Sequence, residues 1–277
     1  MPYRALPRTR LHVAARTDIG RCRNHNEDTF RVGVIETGDV LAPEPASAES
    51  HEASARLAGS GYVLGVYDGC GGRSAGDAAS AAAARVVQDE LSREALPAFG
   101  ERAEWLARAV KEAGRRVWNM ATNEPDWRGM GTTATVAVLL GRSLEITQVG
   151  DSRAYLFDGA GLRQLTRDDT LVNELVATGK LSLEEAESFP HKNVITKALG
   201  TVEGTVPTVT SATVHAGDRL LLCTDGVTAC IDDRDLAELL CRYSEPDACC
   251  RAIVEATYRA GAPDNLTMIV ADINCDG

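Results

Sequence analysis

The apolar run Tyr62-Val63-Leu64-Gly65-Val66-Tyr67 stops at Asp68, and Gly69-Cys70-Gly71-Gly72 and an Ala-rich helical pattern follow. Such a run reads as a buried strand. A carboxylate at its end, with glycines that let backbone come close, presents charge to a ligand. Asp68 is therefore the first candidate functional residue. The run Leu220-Leu221-Leu222-Cys223-Thr224 ends the same way, in Asp225-Gly226. Asn26-Glu27-Asp28, Gly150-Asp151-Ser152 and Asp264-Asn265 also place an acid beside Gly, Asn or Ser at a strand edge. Each alone is ordinary turn chemistry; the recurrence carries the signal.

Around these turns the chain alternates between runs of strands and groups of helices. Leu11–Arg16 and Asp28–Ile35 read as strands, the second by apolar alternation at 30, 32 and 34. Residues 36–60 shift to Ala, Ser, Glu, Gly and Pro and read as a flexible excursion. Helices are expected over 75–96 and 101–120, the latter from the spacing of Leu106, Val110, Ala113 and Val117. Three short runs, 132–140, 144–149 and 153–157, suggest an antiparallel meander. A short helix over 170–179 and a capping box at Ser182-Leu183-Glu184-Glu185 form a helical patch that reaches to about residue 200. Strands over 205–211 and 218–224, a helix from 233, a second that Ser244-Glu245-Pro246 opens with Ser244 as N-cap and an early proline, and a closing strand at 266–273 complete the chain. This order is not strict βαβ alternation. It predicts an α+β fold of antiparallel sheets covered by helix pairs, with residues 1–277 forming one domain.

Composition narrows the function classes. The 277 residues carry a net charge of −11, which argues against a duplex nucleic-acid binder needing a basic face. No run approaches the roughly 18 apolar residues of a membrane span. The first residues lack the apolar core of a signal peptide. Eight cysteines show no C-x-x-C pair, so they read as reduced thiols of a cytoplasmic protein.

If the sheets bring the acidic strand ends together, four or more carboxylates crowd one cleft and raise each other's pKa. A cation removes that penalty. An all-oxygen set selects Mg²⁺ or Mn²⁺, and the absence of a His/Cys cluster argues against zinc. More than two carboxylates suggests two ions, an arrangement suited to in-line phosphoryl displacement.

Several segments, in order, resemble the metal-dependent, protein phosphatase 2C-like serine/threonine phosphatases in their compact bacterial form. They are Gly20-x-x-Arg23-x-x-Asn26-Glu27-Asp28, Asp68-Gly69-x-Gly71-Gly72 with Gly76, Gly131-Thr132-Thr133 and Val149-Gly150-Asp151-Ser152-Arg153-Ala154-Tyr155. Leu165-Thr166-Arg167-Asp168, Asn193–Gly200, Leu221–Gly226 and Asp264-Asn265-Leu266-Thr267 continue the series. The resemblance implies a four-layer αββα sandwich with a small flap over about 168–200. It implies that Asp68 bridges two metals, with the Gly69 carbonyl on one. Asp225 and Asp264 complete the first site, Glu27 and Asp28 serve the second largely through water, and Asp151 with Asp225 matches a weaker third site. Arg23 holds substrate phosphate, where a guanidinium fork fits the oxygens. The implied reaction is attack of a metal-bridging hydroxide on phosphoserine or phosphothreonine, without a phospho-enzyme. The implied substrates are phosphorylated proteins, a serine/threonine kinase and its targets among them, with the phosphatase a monomer.

The pattern departs at Cys70 and Arg73, where relatives often have Met or His, and His. Cys70 is a poor proton donor, and a packed side chain is the simpler reading than an oxidation-sensitive thiol. His191 is the other histidine near a motif. Asp169-Thr170 stands where relatives commonly have His-Ser, which implies an effect on substrate choice and third-metal affinity. A pseudophosphatase binding module and a small-molecule phosphohydrolase are rival readings. A dinucleotide site fails, because Ser74 occupies the third glycine position and Asp68 repels a pyrophosphate.

Overall fold

The computed structural model describes residues 9–42, 49–71, 75–93, 96–190 and 194–275. Gly72, Arg73, Ser74 and His191 lie outside them. The first half contains β1 (Thr9–Asp18), β2 (Asp28–Val34), β3 (Val40–Leu41), β4 (Ser50–Gly59) and β5 (Gly61–Cys70). Helices α1 (Ala75–Arg93) and α2 (Arg102–Asn123) come next, then β6 (Gly131–Thr132), β7 (Ala134–Leu140), β8 (Ser143–Val149), β9 (Arg153–Asp158) and β10 (Gly161–Gln164). The flap holds α3 (Leu171–Ala177) and α4 (Leu183–Glu187). After it come β11 (Thr208–Thr213), β12 (Arg219–Cys223), α5 (Asp225–Thr228), α6 (Asp233–Arg242), α7 (Pro246–Arg259) and β13 (Leu266–Cys275).

Two antiparallel sheets result, with strand orders β10-β9-β12-β13-β1-β4 and β11-β8-β7-β5-β2-β3, and β6 paired to β5. Their facing sides bury Leu11, Phe30, Leu64, Leu139, Leu222 and Ile269 in one shared core. The outer face of the second sheet is covered by α1 and α2, through residues such as Val87, Leu106 and Val110 against Val136 and Val138. The outer face of the first carries α5, α6 and α7, with Leu236, Leu240 and Ile253 against Tyr155, Leu221 and Val270. Strands buried on both faces read as continuous apolar runs, which is why β5, β7 and β12 stand out in the sequence. The αββα expectation holds.

Three local expectations need correction. Residues 50–59 are not part of a flexible excursion: β4 pairs with β1 over ten residues, Thr9 to Gly59 through Asp18 to Ser50. Its inner side chains, Ala53, Ala55 and Leu57, are half-buried at the sheet edge and two of the three are alanine, so the alternation is weak in hydrophobicity but regular in position. The run 132–157 is not one meander. β7 and β8 form a hairpin, but β9 pairs with β12 and β10 in the other sheet. Gly150-Asp151-Ser152 is thus a crossover between sheets. Ser244 does not cap α7; Glu245 occupies that position without a side-chain cap, and Pro246 opens the helix.

Candidate metal centre

The acidic strand ends meet because both sheets point the relevant ends the same way. Asp68 lies two residues before the end of β5, Asp151 sits in the crossover from β8 to β9, and Asp225 follows β12. One carboxylate oxygen from each of the three lies within 4.8 Å of the others. Asp151 Oδ1 and Asp225 Oδ1 are fully shielded from solvent and have no hydrogen-bond partner. Orphaned buried carboxylate oxygens are costly unless a cation takes them. The donor set is all oxygen, so these residues fit a hard divalent cation.

Electrostatics agrees. Burial, then the neighbouring carboxylates Asp28, Asp225, Asp151 and Asp264, push Asp68 well above the usual aspartate range. Burial and the Asp225 and Asp168 charges raise Asp151 to about 7. Asp225 is raised by burial and by Asp264. Asp28 reaches about 7, by burial first, although Thr224 Oγ1 donates to its Oδ2 at 2.8 Å.

The other sequence candidates surround this trio. Asp28 lies directly opposite Asp68 in the β2–β5 ladder and is 1% exposed. Glu27 is half-buried at the N-terminal end of α1, where the Gly76 N–H binds its carboxylate, and burial raises its pKa. Asp264 is engaged outside the trio: Arg23 Nη2 donates to its Oδ2 at 2.6 Å and the Asn265 N–H to its Oδ1 at 2.8 Å. Arg23 is itself half-exposed at the mouth. Gly69 lies between backbones: a Cβ there would sit 2.1 Å from the Gly76 carbonyl oxygen and 2.6 Å from that of Glu27. Glycine is what lets α1 seat its first turn against Asp68. Gly226 has the same role, since a Cβ would meet the Asn265 oxygen at 1.8 Å where β12 and β13 bring Asp225 and Asp264 together.

Cys70 pairs with Gly131 across β5 and β6. Burial, then the Glu27 charge, raises its thiol pKa, so it is a neutral, packed side chain rather than a reactive thiolate.

Sequence reasoning assigned no role to the hydroxyls and amide that hold the carboxylates. The Asp68 N–H donates to Thr133 Oγ1 at 3.0 Å, and Thr133 Oγ1 shares a 2.8 Å hydrogen bond with Ser152 Oγ. Asn265 accepts the Glu27 N–H at 2.9 Å and donates to the Ile19 and His25 carbonyls, which fixes the loop carrying Arg23. All three lie inside the motifs named above, so their place in the chain was visible and their bonding was not.

Fold and site together define an αββα sandwich with a carboxylate centre suited to divalent cations. Residues 51–254 match the family described as Protein phosphatase 2C. The chain is 34% identical over 266 residues to the serine/threonine phosphatase stp of Listeria innocua, spanning 95% of this chain and 96% of that protein. It is 35% identical over 267 residues to the serine/threonine protein phosphatase PstP of Mycobacterium tuberculosis, spanning 95% of this chain and 45% of that longer protein. The crystal structure of M. tuberculosis PstP/Ppp superimposes with a TM-score of 0.79 at 32% identity, over 96% of this chain and 99% of the other. The PstP catalytic domain in complex with two manganese ions matches with a TM-score of 0.76 at 31% identity, over 96% and 99%. The chain belongs to the protein phosphatase 2C family, whose members are metal-dependent.

Proposed function

We propose that this protein is a metal-dependent phosphoprotein phosphatase that hydrolyses phosphoserine and phosphothreonine. The observation that carries the reading is the convergence of Asp68, Asp151 and Asp225, with two carboxylate oxygens buried and unpartnered. The named relatives support the activity. Asp68, Asp225 and Asp264, with the Gly69 carbonyl, would hold Mn²⁺ or Mg²⁺ as a pair, Glu27 and Asp28 acting from behind. Asp151 with Asp225 would hold a third. When bound, the ions polarise the phosphoryl oxygens and lower the pKa of water.

The chain's own residues do the rest. Arg23 offers a guanidinium at the rim, where it can exchange its Asp264 partner for substrate phosphate. A cleft of about 380 Å³, lined by Asp151, Asp168, Thr170, Leu183 and Asp225, runs from the centre under the flap and receives the chain flanking the phosphoresidue. Cys70 is a half-buried thiol whose pKa is raised, which makes it a weaker acid, and the proton for the departing alkoxide is taken to come from solvent. Natural substrates are taken to be a serine/threonine kinase and its targets, and the phosphatase a cytoplasmic monomer. No helix among the described residues is long and apolar enough to cross a membrane. Assay of phosphoserine, phosphothreonine and phosphotyrosine peptides with Mn²⁺ tests the reading. Turnover of the first two only is expected, and turnover of small phosphate esters alone would overturn it.

A further inference from the structure

Two adjacent acids in the loop between β10 and α3 grip both flanks of the turn that carries Asp151. Asp169 Oδ2 accepts the Gly150 N–H at 3.1 Å, and the Asp169 N–H donates to the Gly150 carbonyl at 2.8 Å. Asp168 accepts Arg153 in a bidentate pair, Nε to Oδ1 at 3.0 Å and Nη2 to Oδ2 at 2.7 Å, with Nε also 2.9 Å from Oδ2. The residue before Asp151 and the residue two after it are thus both held by one dipeptide.

Asp169 is held in turn. Lys197 Nζ donates to its Oδ1 at 2.7 Å, and the Thr196 N–H donates to its carbonyl at 2.8 Å. The Asp169 side chain is 11% exposed and that of Lys197 41%. A half-exposed ion pair adds little stability by itself. Its effect here is to fix the rotamer of a carboxylate whose other oxygen makes a charge-assisted bond to backbone.

We propose that Asp169, fixed by Lys197, is the positioning residue that sets the Asp151 carboxylate for a divalent cation. The proposal rests on the reading of Asp151 as a metal ligand. Gly150 brings no side chain of its own to lock the turn, so its conformation depends on external bonds, those to Asp169 together with the Gln148 Nε2 bond to its carbonyl. Because α3 begins at Leu171, two residues after Asp169, the flap wall of the cleft and the Asp151 turn share this anchor. Substituting groups that orient metal ligands typically costs about 10- to 100-fold in metal affinity.

The test is calorimetric titration with Mn²⁺ alone on the whole protein, comparing wild type with D151N, D169A, K197M and D151N/D169A. D151N should lose the weakest class of Mn²⁺ site. D169A should weaken that same class by about 10-fold or more while the tighter sites hold. The double variant should bind no more weakly than D151N, since the two effects run through one carboxylate. K197M, at a partly exposed position, should weaken the same class by roughly threefold and carries the test if D169A does not fold. Wild-type titration by D169A and K197M, equal weakening of all classes, or effects that multiply in the double variant would each overturn the positioning role. Wild-type titration by D151N would instead remove the metal reading beneath it.

Discussion

Asp28 and Asp68 stand directly opposite each other on adjacent antiparallel strands, β2 and β5. Residues so paired project from the same face of a sheet, and like charges there are destabilising. The pair is therefore a cost written into the fold, one that a divalent cation held as proposed would relieve.

That cost has a pH signature. Asp28 and Asp151 are raised from the ordinary 3.8 to about 7 in the folded protein. Between those values the folded state holds protons the unfolded chain has lost, so the metal-free protein should lose stability as pH rises from about 4 through 7. A tenfold difference in proton affinity between the two states corresponds to about 1.4 kcal/mol. Metal ions bind the ionised form, so Mn²⁺ should raise Tm more at about pH 7.5 than at about pH 5. Melting curves with and without Mn²⁺ at both values check this; a pH-independent increment would contradict it.

Asp28→Asn keeps the acceptor for Thr224 Oγ1 and removes one charge. The metal-free variant should melt higher than wild type, by several degrees for about 1–2 kcal/mol, and bind Mn²⁺ more weakly. A lower Tm in the absence of metal would show that Asp28 is not under repulsion.

Thr133→Val preserves shape but takes the acceptor from the Asp68 N–H and the partner from Ser152 Oγ. An unmet buried donor costs about 1–3 kcal/mol. Urea denaturation should show that loss, with weaker Mn²⁺ binding because Asp68 is less firmly held. Unchanged stability and affinity would mean the hydroxyl is dispensable.

Arg23→Ala should raise KM for a phosphopeptide while kcat falls less, the pattern of lost ground-state binding. Arg23 lies at the rim and contacts Asp264 rather than the central trio. Steady-state kinetics with saturating Mn²⁺ separates the two parameters, and an unchanged KM would remove its phosphate role.

Much of this arrangement was legible in the sequence. Acids at the ends of strands buried on both faces are conspicuous, because an apolar run ending in charge has few readings. β4 was not legible because an edge strand with Ala53, Ala55 and Leu57 as its inner face carries too little hydrophobicity to signal its period. The switch of β9 to the opposite sheet escaped because a turn of Gly, Asp and Ser looks alike whether it closes a hairpin or crosses a core. For the same reason the grip of Asp168 and Asp169 on that turn was invisible: hydrogen bonds over 15 and 19 residues of separation leave no local pattern.

The Asp68–Asp151–Asp225 cluster should bind the cations on which phosphate-ester hydrolysis depends. The decisive measurement is the hydrolysis rate of a phosphothreonine peptide, against free Mn²⁺, for wild type and Asp225→Ala. Wild type should be inactive in chelator and regain full rate with Mn²⁺. Asp225→Ala should lose at least about 100-fold in rate, the scale of losing a transition-state electrostatic contact. Undiminished turnover in chelator, or a fully active Asp225→Ala, would contradict that role for the cluster.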